Sequence, residues 1–209
     1  MQDCRAAQCF KVEPLQSKIK NKDLVLKFEI LEVYKGKKWD DVAISEINFD
    51  GLDVHCFAKG TKISMGDGSV KSIENLQIGD QVLTYNFENQ KIEVSTVIEL
   101  ANEIHGNLVK LDFGEITVVS TDDHPYYSVG KGWSSLNPLK TVIYENINKV
   151  NQLSTGDRVS FLEANNQLSF KVLKDVTYLD KKEETFTIVK LDKNDNFFAN
   201  GLLVGIEEL

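Results

Sequence analysis

The sequence contains few of the residues that would indicate a disulfide framework or a metal site. Its 209 residues include three cysteines, three prolines and three histidines. An odd number of cysteines cannot all pair, and cysteines this sparse do not form a disulfide scaffold. No Cys-x-x-Cys or His-x-x-x-His spacing occurs, which argues against a structural metal site. We therefore expect no metal and no cofactor.

Long apolar runs and clusters of basic residues are also missing. No apolar run is long enough for a transmembrane helix, and no signal peptide is visible. The formal net charge is -8, and the acidic excess is spread along the chain, which indicates solubility. Without a basic patch, nothing predicts binding to nucleic acid or to a membrane surface. Localisation stays undetermined: an exported or cell-surface bacterial protein is compatible with these features, and there Cys4 and Cys9 would be able to pair.

Alternation of apolar and polar residues predicts an all-β architecture. The strongest predicted strands cover residues 24–34 and 42–47. After residue 56 the chain has short β runs separated by turns rich in glycine, asparagine and aspartate, as in many all-β domains. Only Ser72–Leu76 predicts a helical turn, with Ser72 as its N-cap. We expect an N-terminal β segment over residues 1–55 and a second domain over residues 56–209.

An internal duplication organises the second domain. The segment Leu76–Leu83 (LQIGDQVL) is similar to Leu153–Ser160 (LSTGDRVS). A Gly-Asp pair often begins a turn by itself, but both copies are followed by similar strands and turns in the same order. The downstream features correspond in pairs: residues 116–119 with 186–189, and His124 with Asn200. Two similar halves predict a pseudo-twofold all-β domain with a site where the halves meet.

Three stretches, in this order, carry a resemblance to a known family. They are residues 56–86 (CFAKGTKISMGDGSVKSIENLQIGDQVLTYN), 118–128 (VVSTDDHPYYS) and 194–204 (NDNFFANGLLV). Together they resemble a Hint domain, the self-processing module that hedgehog C-terminal domains, inteins and bacterial intein-like domains share. The resemblance covers residues 56–206. It implies a pseudo-twofold horseshoe of short strands, here preceded by an N-terminal β extension.

The resemblance implies that the chain cleaves its own peptide bond between His55 and Cys56. The thiolate of Cys56 would attack the preceding carbonyl in an N-to-S acyl shift, helped by the tethering of the reacting atoms. His124 would give a proton to the leaving nitrogen, for which an imidazole is suited. Thr121 would polarise or orient the same bond, and the two residues together could twist it out of planarity. The substrate would be the N-terminal segment, and water or an external thiol or amine would release it in a single turnover.

Departures from the family limit the expected reaction. Splicing inteins finish with a His-Asn pair whose asparagine cyclises to cut the C-terminal bond, but here Val204 is followed by Gly205-Ile206-Glu207. We therefore expect N-terminal cleavage without splicing or C-terminal cleavage, and the chain ends at Leu209 with nothing to ligate. Thr187 occupies the place of an acidic or amide residue in the penultimate strand, and Asp195 that of a histidine. The first change could weaken the activation of Cys56.

Other residues have simpler interpretations. A lone cysteine is often just a small buried hydrophobe, and a histidine before proline can merely end a strand, but the ordered motifs favour catalytic roles for Cys56 and His124. His55 and His105 are expected to be ordinary surface residues. Asn200-Gly201 predicts a hairpin turn, because both residues tolerate positive φ.

The segment before the junction has its own resemblance. Residues 30–49 (ILEVYKGKKWDDVAISEINF) resemble the closing strands of a discoidin-like, galactose-binding jelly roll. This implies a truncated fragment and a glycan as a partner, although a plain β-hairpin extension also fits. The alternative function is therefore a degenerate, non-catalytic Hint module that acts as a spacer or as a carbohydrate- or partner-binding protein. A cysteine protease acting in trans is less favoured, since the nucleophile adjoins the domain boundary and no substrate cleft is evident.

Overall fold

The computed structural model describes residues 54–141 and 149–206, which all belong to one unit, Asp50–Leu209. Several predictions fall on other residues. The predicted strands at 24–34 and 42–47, the jelly-roll-like fragment, and Cys4 and Cys9 lie outside the described residues. Within the described part of the chain, no helix has the length and apolar character needed to cross a membrane.

The prediction of an all-β architecture is confirmed. In chain order the strands are β1 (Phe57–Ala58), β2 (Lys62–Ser64), β3 (Val70–Ser72), β4 (Gln81–Asn86), β5 (Lys91–His105), β6 (Leu108–Asp112), β7 (Thr117–Thr121), β8 (Tyr126–Ser128), β9 (Gly132–Ser135), β10 (Asn151–Gln152), β11 (Arg158–Leu162), β12 (Leu168–Val172), β13 (Asp175–Tyr178), β14 (Glu183–Leu191), β15 (Asn196–Ala199) and β16 (Leu202–Gly205). The described helical elements are a 3-10 helix at Ile73–Asn75 and a short α-helix, α1 (Pro138–Thr141).

The strands form two sheets. One has the order β13-β6-β7-β1-β14-β5-β4, and the other has the order β10-β9-β8-β11-β16-β15-β2-β3, with β12 beside β11. The short strand β1 lies in the middle of the first sheet. There Phe57 pairs with Ser120 of β7 on one side and with Phe186 of β14 on the other. The segment that follows Cys56 is therefore held between strands from both halves of the chain.

The two similar halves exchange strands. The hairpin β4–β5 corresponds to the hairpin β11–β12, and each hairpin follows one of the Gly-Asp turns. The far end of β5 pairs with β14 of the second half, while β13 pairs with β6 of the first half. By this symmetry β14, which contains residues 186–189, is the equivalent of β6 in the first half. The expected correspondence of residues 186–189 with residues 116–119, at β7, is therefore wrong. Both of these pairs lie in the first sheet, so strands of the two halves alternate there.

A single large apolar cluster fixes the junction in place. Phe57 is fully buried, and its ring lies 6.0 Å from that of Phe197 and 6.5 Å from that of Tyr126, both nearly perpendicular to it. Burying a phenylalanine contributes about 2–3 kcal/mol, so the residue after Cys56 is a strong anchor. Further members of the cluster come from both sheets: Ile63, Val109, Leu111, Val159, Ile188, Leu202 and Val204.

Two local predictions have distinct outcomes. The helical turn predicted at Ser72–Leu76 is the 3-10 helix Ile73–Asn75, and Ser72 takes the N-cap position. Its hydroxyl does not cap the helix, however, and instead accepts a hydrogen bond of 2.7 Å from Lys62 Nζ. The predicted Asn200-Gly201 turn is confirmed: it joins β15 to β16, with φ of 47° and 78° at the two residues.

Candidate functional site

Cys56 lies immediately before β1 and is fully buried. Its carbonyl oxygen accepts a hydrogen bond of 2.9 Å from the backbone N–H of Thr121. In the opposite direction, the backbone N–H of Cys56 donates to the side-chain Oγ1 of Thr121, at 3.2 Å. This N–H belongs to the peptide bond between His55 and Cys56. The Thr121 hydroxyl therefore contacts the nitrogen that would have to leave if that bond were cleaved.

His124 lies in the turn after β7 and points into the same region. It is 1% exposed, and its ring centroid lies 4.0 Å from that of Phe57 and 5.7 Å from that of His55. Its backbone N–H donates to the carbonyl of Thr121, which forms the turn. Neither of its ring nitrogens makes a well-formed hydrogen bond within the part of the chain that the structure describes. The imidazole therefore lies beside the junction, next to the backbone of His55.

The protonation state of His124 follows from its burial. Burial is the largest influence and, together with the nearby His55, holds the pKa of His124 well below its usual 6.5. The Asp123 carboxylate and the His55 backbone oppose this effect without overcoming it. A buried imidazole of this kind is neutral near neutral pH. It is therefore able to accept a proton from a thiol. The imidazolium that forms can then donate this proton to a leaving nitrogen.

The expectation that His55 and His105 are surface residues is wrong. They are 0% and 3% exposed. His55 Nδ1 lies 3.4 Å from Asp123 Oδ1, and His105 Nδ1 lies 2.7 Å from Thr185 Oγ1. A buried imidazole is tolerated when a side-chain oxygen can pair with it. In both cases the partner is distant in sequence, so the local pattern contains no sign of it.

Asp123 is a member of the site that the sequence interpretation missed. It is 2% exposed. Burial raises the pKa of Asp123, but hydrogen bonds from His55 and from the Thr121 side chain, with the charge of His55, lower it to about 2. The carboxylate is therefore charged near neutral pH. Its position between Thr121 and His124 in the motif was the signal that could have identified it.

The loop that carries Asp123 and His124 is fixed by its neighbours. Asp122 accepts hydrogen bonds from the side-chain amides of Asn107, at 2.7 Å, and Asn137, at 3.2 Å. The hydroxyl of Thr141, in α1, donates to the carbonyl of Asp123 at 2.6 Å. Because these two residues are bonded to other elements, the turn that carries the carboxylate and the imidazole is held beside the junction.

The second half contributes less polar chemistry to the junction. The register of β1 with β14 places Thr187 opposite Cys56. Thr187 is buried, and its hydroxyl donates to the carbonyl of Ile188 in its own strand, at 3.5 Å. Asp195 is exposed, and its carbonyl accepts from the N–H of Ile206. We find no acidic group on β14 at the position across from Cys56.

The described junction includes neither a metal-binding cluster nor one of the two surface cavities. Among the described residues, no group of three or more histidines, cysteines, aspartates or glutamates is arranged to hold a metal ion. Two surface cavities have volumes of about 790 and 340 Å³, and neither is lined by residues of the junction. The described junction residues are buried and lie away from both of these cavities.

Two family models match the sequence. The Ataxin-1 and HBP1 module (AXH) matches residues 57–164, and the NAD glycohydrolase translocation F5/8 type C domain matches residues 1–50. Mouse and human Ataxin-1-like are 30% identical over 92 residues, which are 41% of this chain and 13% of each relative. HMG box-containing protein 1 of Bos taurus is 29% identical over 113 residues, 44% of this chain and 22% of that protein. The chain thus spans less than a quarter of these curated relatives.

Solved structures with the same fold are inteins and intein-like domains. A DnaB intein from Synechocystis sp. PCC 6803 has a TM-score of 0.58 and 18% identity, covering 74% of this chain and 99% of that one. The bacterial intein-like domain from Clostridium thermocellum has a TM-score of 0.56 and 24% identity, covering 72% and 97% of the two chains. At such identities the likeness establishes the fold, and the predicted Hint fold is confirmed.

Proposed function

We propose that this chain, which belongs to the Ataxin-1 and HBP1 module (AXH) family and has a Hint fold, cleaves itself between His55 and Cys56. The reaction is an N-to-S acyl shift followed by breakdown of the thioester, without splicing or C-terminal cleavage. One observation carries the proposal: the Thr121 hydroxyl contacts the nitrogen of this bond at 3.2 Å, beside the buried His124.

The first step uses His124 as base and then as acid. The neutral imidazole takes the proton of the Cys56 thiol, and the resulting thiolate attacks the carbonyl carbon of His55. As the tetrahedral intermediate collapses, the C–N bond breaks and the imidazolium returns its proton to the nitrogen, which becomes the free amine of Cys56. No other acid or base is required, since one proton moves from sulfur to nitrogen through one group.

The role of Thr121 is to orient the bond. Its Oγ1 accepts the N–H of Cys56, while the backbone of the same residue donates to the Cys56 carbonyl. These two hydrogen bonds fix the direction of the N–H. They therefore restrict the side on which the nitrogen can become pyramidal as the C–N bond breaks. Holding reacting groups in a productive geometry lowers the activation free energy by several kcal/mol, and by about 7–11 kcal/mol in the best tethered cases.

The second step is attack on the thioester by water or by an external thiol or amine, which releases residues 1–55. The C-terminal end of the module supports this limited reaction, since Gly205 and Ile206 are buried there and provide no asparagine to cyclise. The N-terminal segment is both substrate and product. Residues 1–50 match the NAD glycohydrolase translocation F5/8 type C domain, and we propose that this segment is a discoidin-like fragment with a glycan as its ligand.

The test is the intact mass of the purified chain with and without a thiol such as dithiothreitol. We expect a fragment of residues 1–55 to appear, faster with thiol, and Cys56→Ala to remain intact under the same conditions. Cys56→Ser is a useful second variant, because an ester still forms while attack by the hydroxyl is slower. An unchanged mass for folded wild-type protein under thiol would contradict the proposal.

A second candidate function is a non-catalytic module that binds a partner or serves as a spacer. The AXH match begins at Phe57, one residue after Cys56, so the family resemblance does not include the nucleophile. This candidate predicts that wild-type protein and Cys56→Ala are equally inert to thiol. Binding of the intact chain to a glycan array without cleavage would then favour it.

A further inference from the structure

The carboxylate of Asp123 lies beside the acyl-side residue of the His55–Cys56 bond. Its Oδ1 is 3.4 Å from His55 Nδ1. On the other side of the bond, the Thr121 hydroxyl accepts the N–H of Cys56 at 3.2 Å. Two side chains of one motif, Thr121 and Asp123, therefore contact the two residues that this bond joins.

This arrangement depends on a histidine at position 55. His55 and Asp123 have side-chain exposures of 0% and 3%, so solvent does not hydrate the carboxylate. No lysine or arginine among the described residues forms an ion pair with Asp123. A buried carboxylate needs donors around it, and the imidazole supplies one that an apolar side chain cannot replace.

We propose that Asp123 is a positioning residue that selects histidine as the acyl-side residue of the cleaved bond. The inference rests on the proposed cleavage and adds a requirement to it. By binding the imidazole of His55, Asp123 fixes the acyl half of the bond while Thr121 fixes the nitrogen half. A segment that ends in a residue without a donor would leave the carbonyl of residue 55 less well placed for attack by Cys56.

The contact with His55 is tested by a series of variants measured under thiol. His55→Leu removes the donor, whereas His55→Gln keeps an N–H that can reach the carboxylate. We expect His55→Leu to cleave about 10 to 100 times more slowly, since a misplacement of 1 Å can have an effect of this size. His55→Gln should recover part of the rate. In the His55→Leu background, Asp123→Leu should cause little further loss, because the contact is already gone.

A matched control separates positioning from stability. His105 is another buried histidine whose ring bonds a side-chain oxygen, that of Thr185 at 2.7 Å. His105→Leu should lower the free energy of unfolding as His55→Leu does, but folded His105→Leu should cleave at nearly the wild-type rate. Unfolding is measured in the Cys56→Ala background, where cleavage cannot interfere. Nitrogen NMR of the same background should show His55 protonated at Nδ1 and a change in that signal in Asp123→Asn.

The outcomes distinguish the inference from the cleavage itself. Wild-type cleavage with an unchanged rate in His55→Leu and Asp123→Leu would overturn the inference and leave the proposed function standing. Equal losses in His55→Gln and His55→Leu would also overturn it, since a hydrogen bond would then play no part. No cleavage in wild-type protein under thiol would overturn the proposed function and this inference with it.

Discussion

Two threonines flank Cys56 in the first sheet, one from each half of the duplicated domain. Thr121 belongs to β7 of the first half, and the strand register places Thr187 of β14 on the opposite side. Both are 1% exposed. Only Thr121 bonds the Cys56 nitrogen, because the Thr187 hydroxyl donates to its own strand. The two sides of Cys56 thus make different contacts, and chemistry cannot be inferred from position alone.

The same contrast continues in the turns that follow. After β7 the first half presents His124, a buried imidazole beside the junction. After β15 the second half presents Asn200, whose side chain accepts from the N–H of Lys62 at 2.7 Å and donates to the carbonyl of Thr117 at 2.9 Å. Asn200 ties β2 and β7 to its own turn. The first half therefore carries the candidate chemistry, and the second half supports the frame around it.

The two Gly-Asp turns, by contrast, are nearly identical. Gly79 and Gly156 have φ of 94° and 93°. Each following aspartate accepts from a backbone N–H three residues earlier and from a lysine Nζ at 2.7 Å. The two copies thus have the same contacts at the turns that begin the hairpins, and they differ near Cys56.

The largest effect should come from comparing His124 with Asn200. We expect His124→Ala to slow thiol-induced cleavage by about 100-fold or more, the usual contribution of a general acid–base group. Asn200→Ala should cleave within a few fold of wild type but lose about 1–2 kcal/mol of unfolding free energy with its two hydrogen bonds. Cleavage is followed by intact mass and stability by urea denaturation of the Cys56→Ala forms.

The division between the halves would be contradicted by the opposite pattern. If Asn200→Ala abolished cleavage in folded protein while His124→Ala retained it, the second half would hold the acid–base group. Circular dichroism of each variant serves as the control, because a loss of rate counts only in protein that is still folded.

The next effect is a loss of stability in acid that originates in the first half. Burial lowers the pKa values of His55 and His124 below 6.5. The unfolded chain then binds protons that the folded protein does not, so stability is complete above the unfolded value and falls as the pH drops below it. The slope is about 1.4 kcal/mol per pH unit for each histidine that stays neutral.

This slope is measured by urea denaturation of Cys56→Ala from about pH 8 to about pH 4.5. Asp123 does not contribute there, because a carboxyl whose pKa is lowered from 3.8 to about 2 loses its stabilising effect only between those values. His124→Asn in the same background should reduce the slope by about 1.4 kcal/mol per pH unit. An unchanged slope would mean that this imidazole is not buried and neutral.

Part of the fold and of the candidate site could be predicted from the sequence. Strand alternation gave the all-β class, and the paired Gly-Asp segments indicated two similar halves, because turns and hairpins are encoded locally. The motif around His124 placed that residue and Thr121 beside Cys56. The pairing of β5 with β14 and of β6 with β13, across the two halves, could not be predicted in this way. Strand partners depend on contacts that are distant in sequence.

The residues missed by the sequence interpretation were those whose role depends on a distant partner. His55 was expected to be exposed, but it is buried because Asp123 comes to it from the turn after β7. His105 is buried against Thr185, 80 residues away. Polar residues enter a core only when a donor or acceptor meets them there. Which donor or acceptor reaches a buried polar residue depends on the tertiary structure, so the local sequence does not show it.

A smaller effect should separate Thr121 from Thr187. Thr121→Val keeps the shape of the side chain but removes the acceptor for the Cys56 N–H, and we expect about a 10-fold slower cleavage, corresponding to about 1.4 kcal/mol. Thr187→Val removes a hydroxyl that bonds only its own strand and should cleave at nearly the wild-type rate. Thr121→Ser is the control, since it restores the hydroxyl. Equal losses in the two valine variants would show that both halves act on the bond.

The smallest effect should be shared equally by the two Gly-Asp turns. Asp80 Oδ2 accepts from the N–H of Gln77 at 2.8 Å, and Asp157 Oδ2 accepts from the N–H of Ser154 at 2.9 Å. Asp80→Ala and Asp157→Ala should therefore each lower the free energy of unfolding by about 1 kcal/mol.

Neither change in these turns should alter the cleavage rate of folded protein, because neither aspartate touches the junction. Asp80→Asn and Asp157→Asn keep one acceptor oxygen and should retain part of the stability. The comparison is made by urea denaturation in the Cys56→Ala background. A difference between the two alanine variants of more than about 0.5 kcal/mol, the usual limit for independent sites, would show that the halves have diverged in their frame as well as in their chemistry.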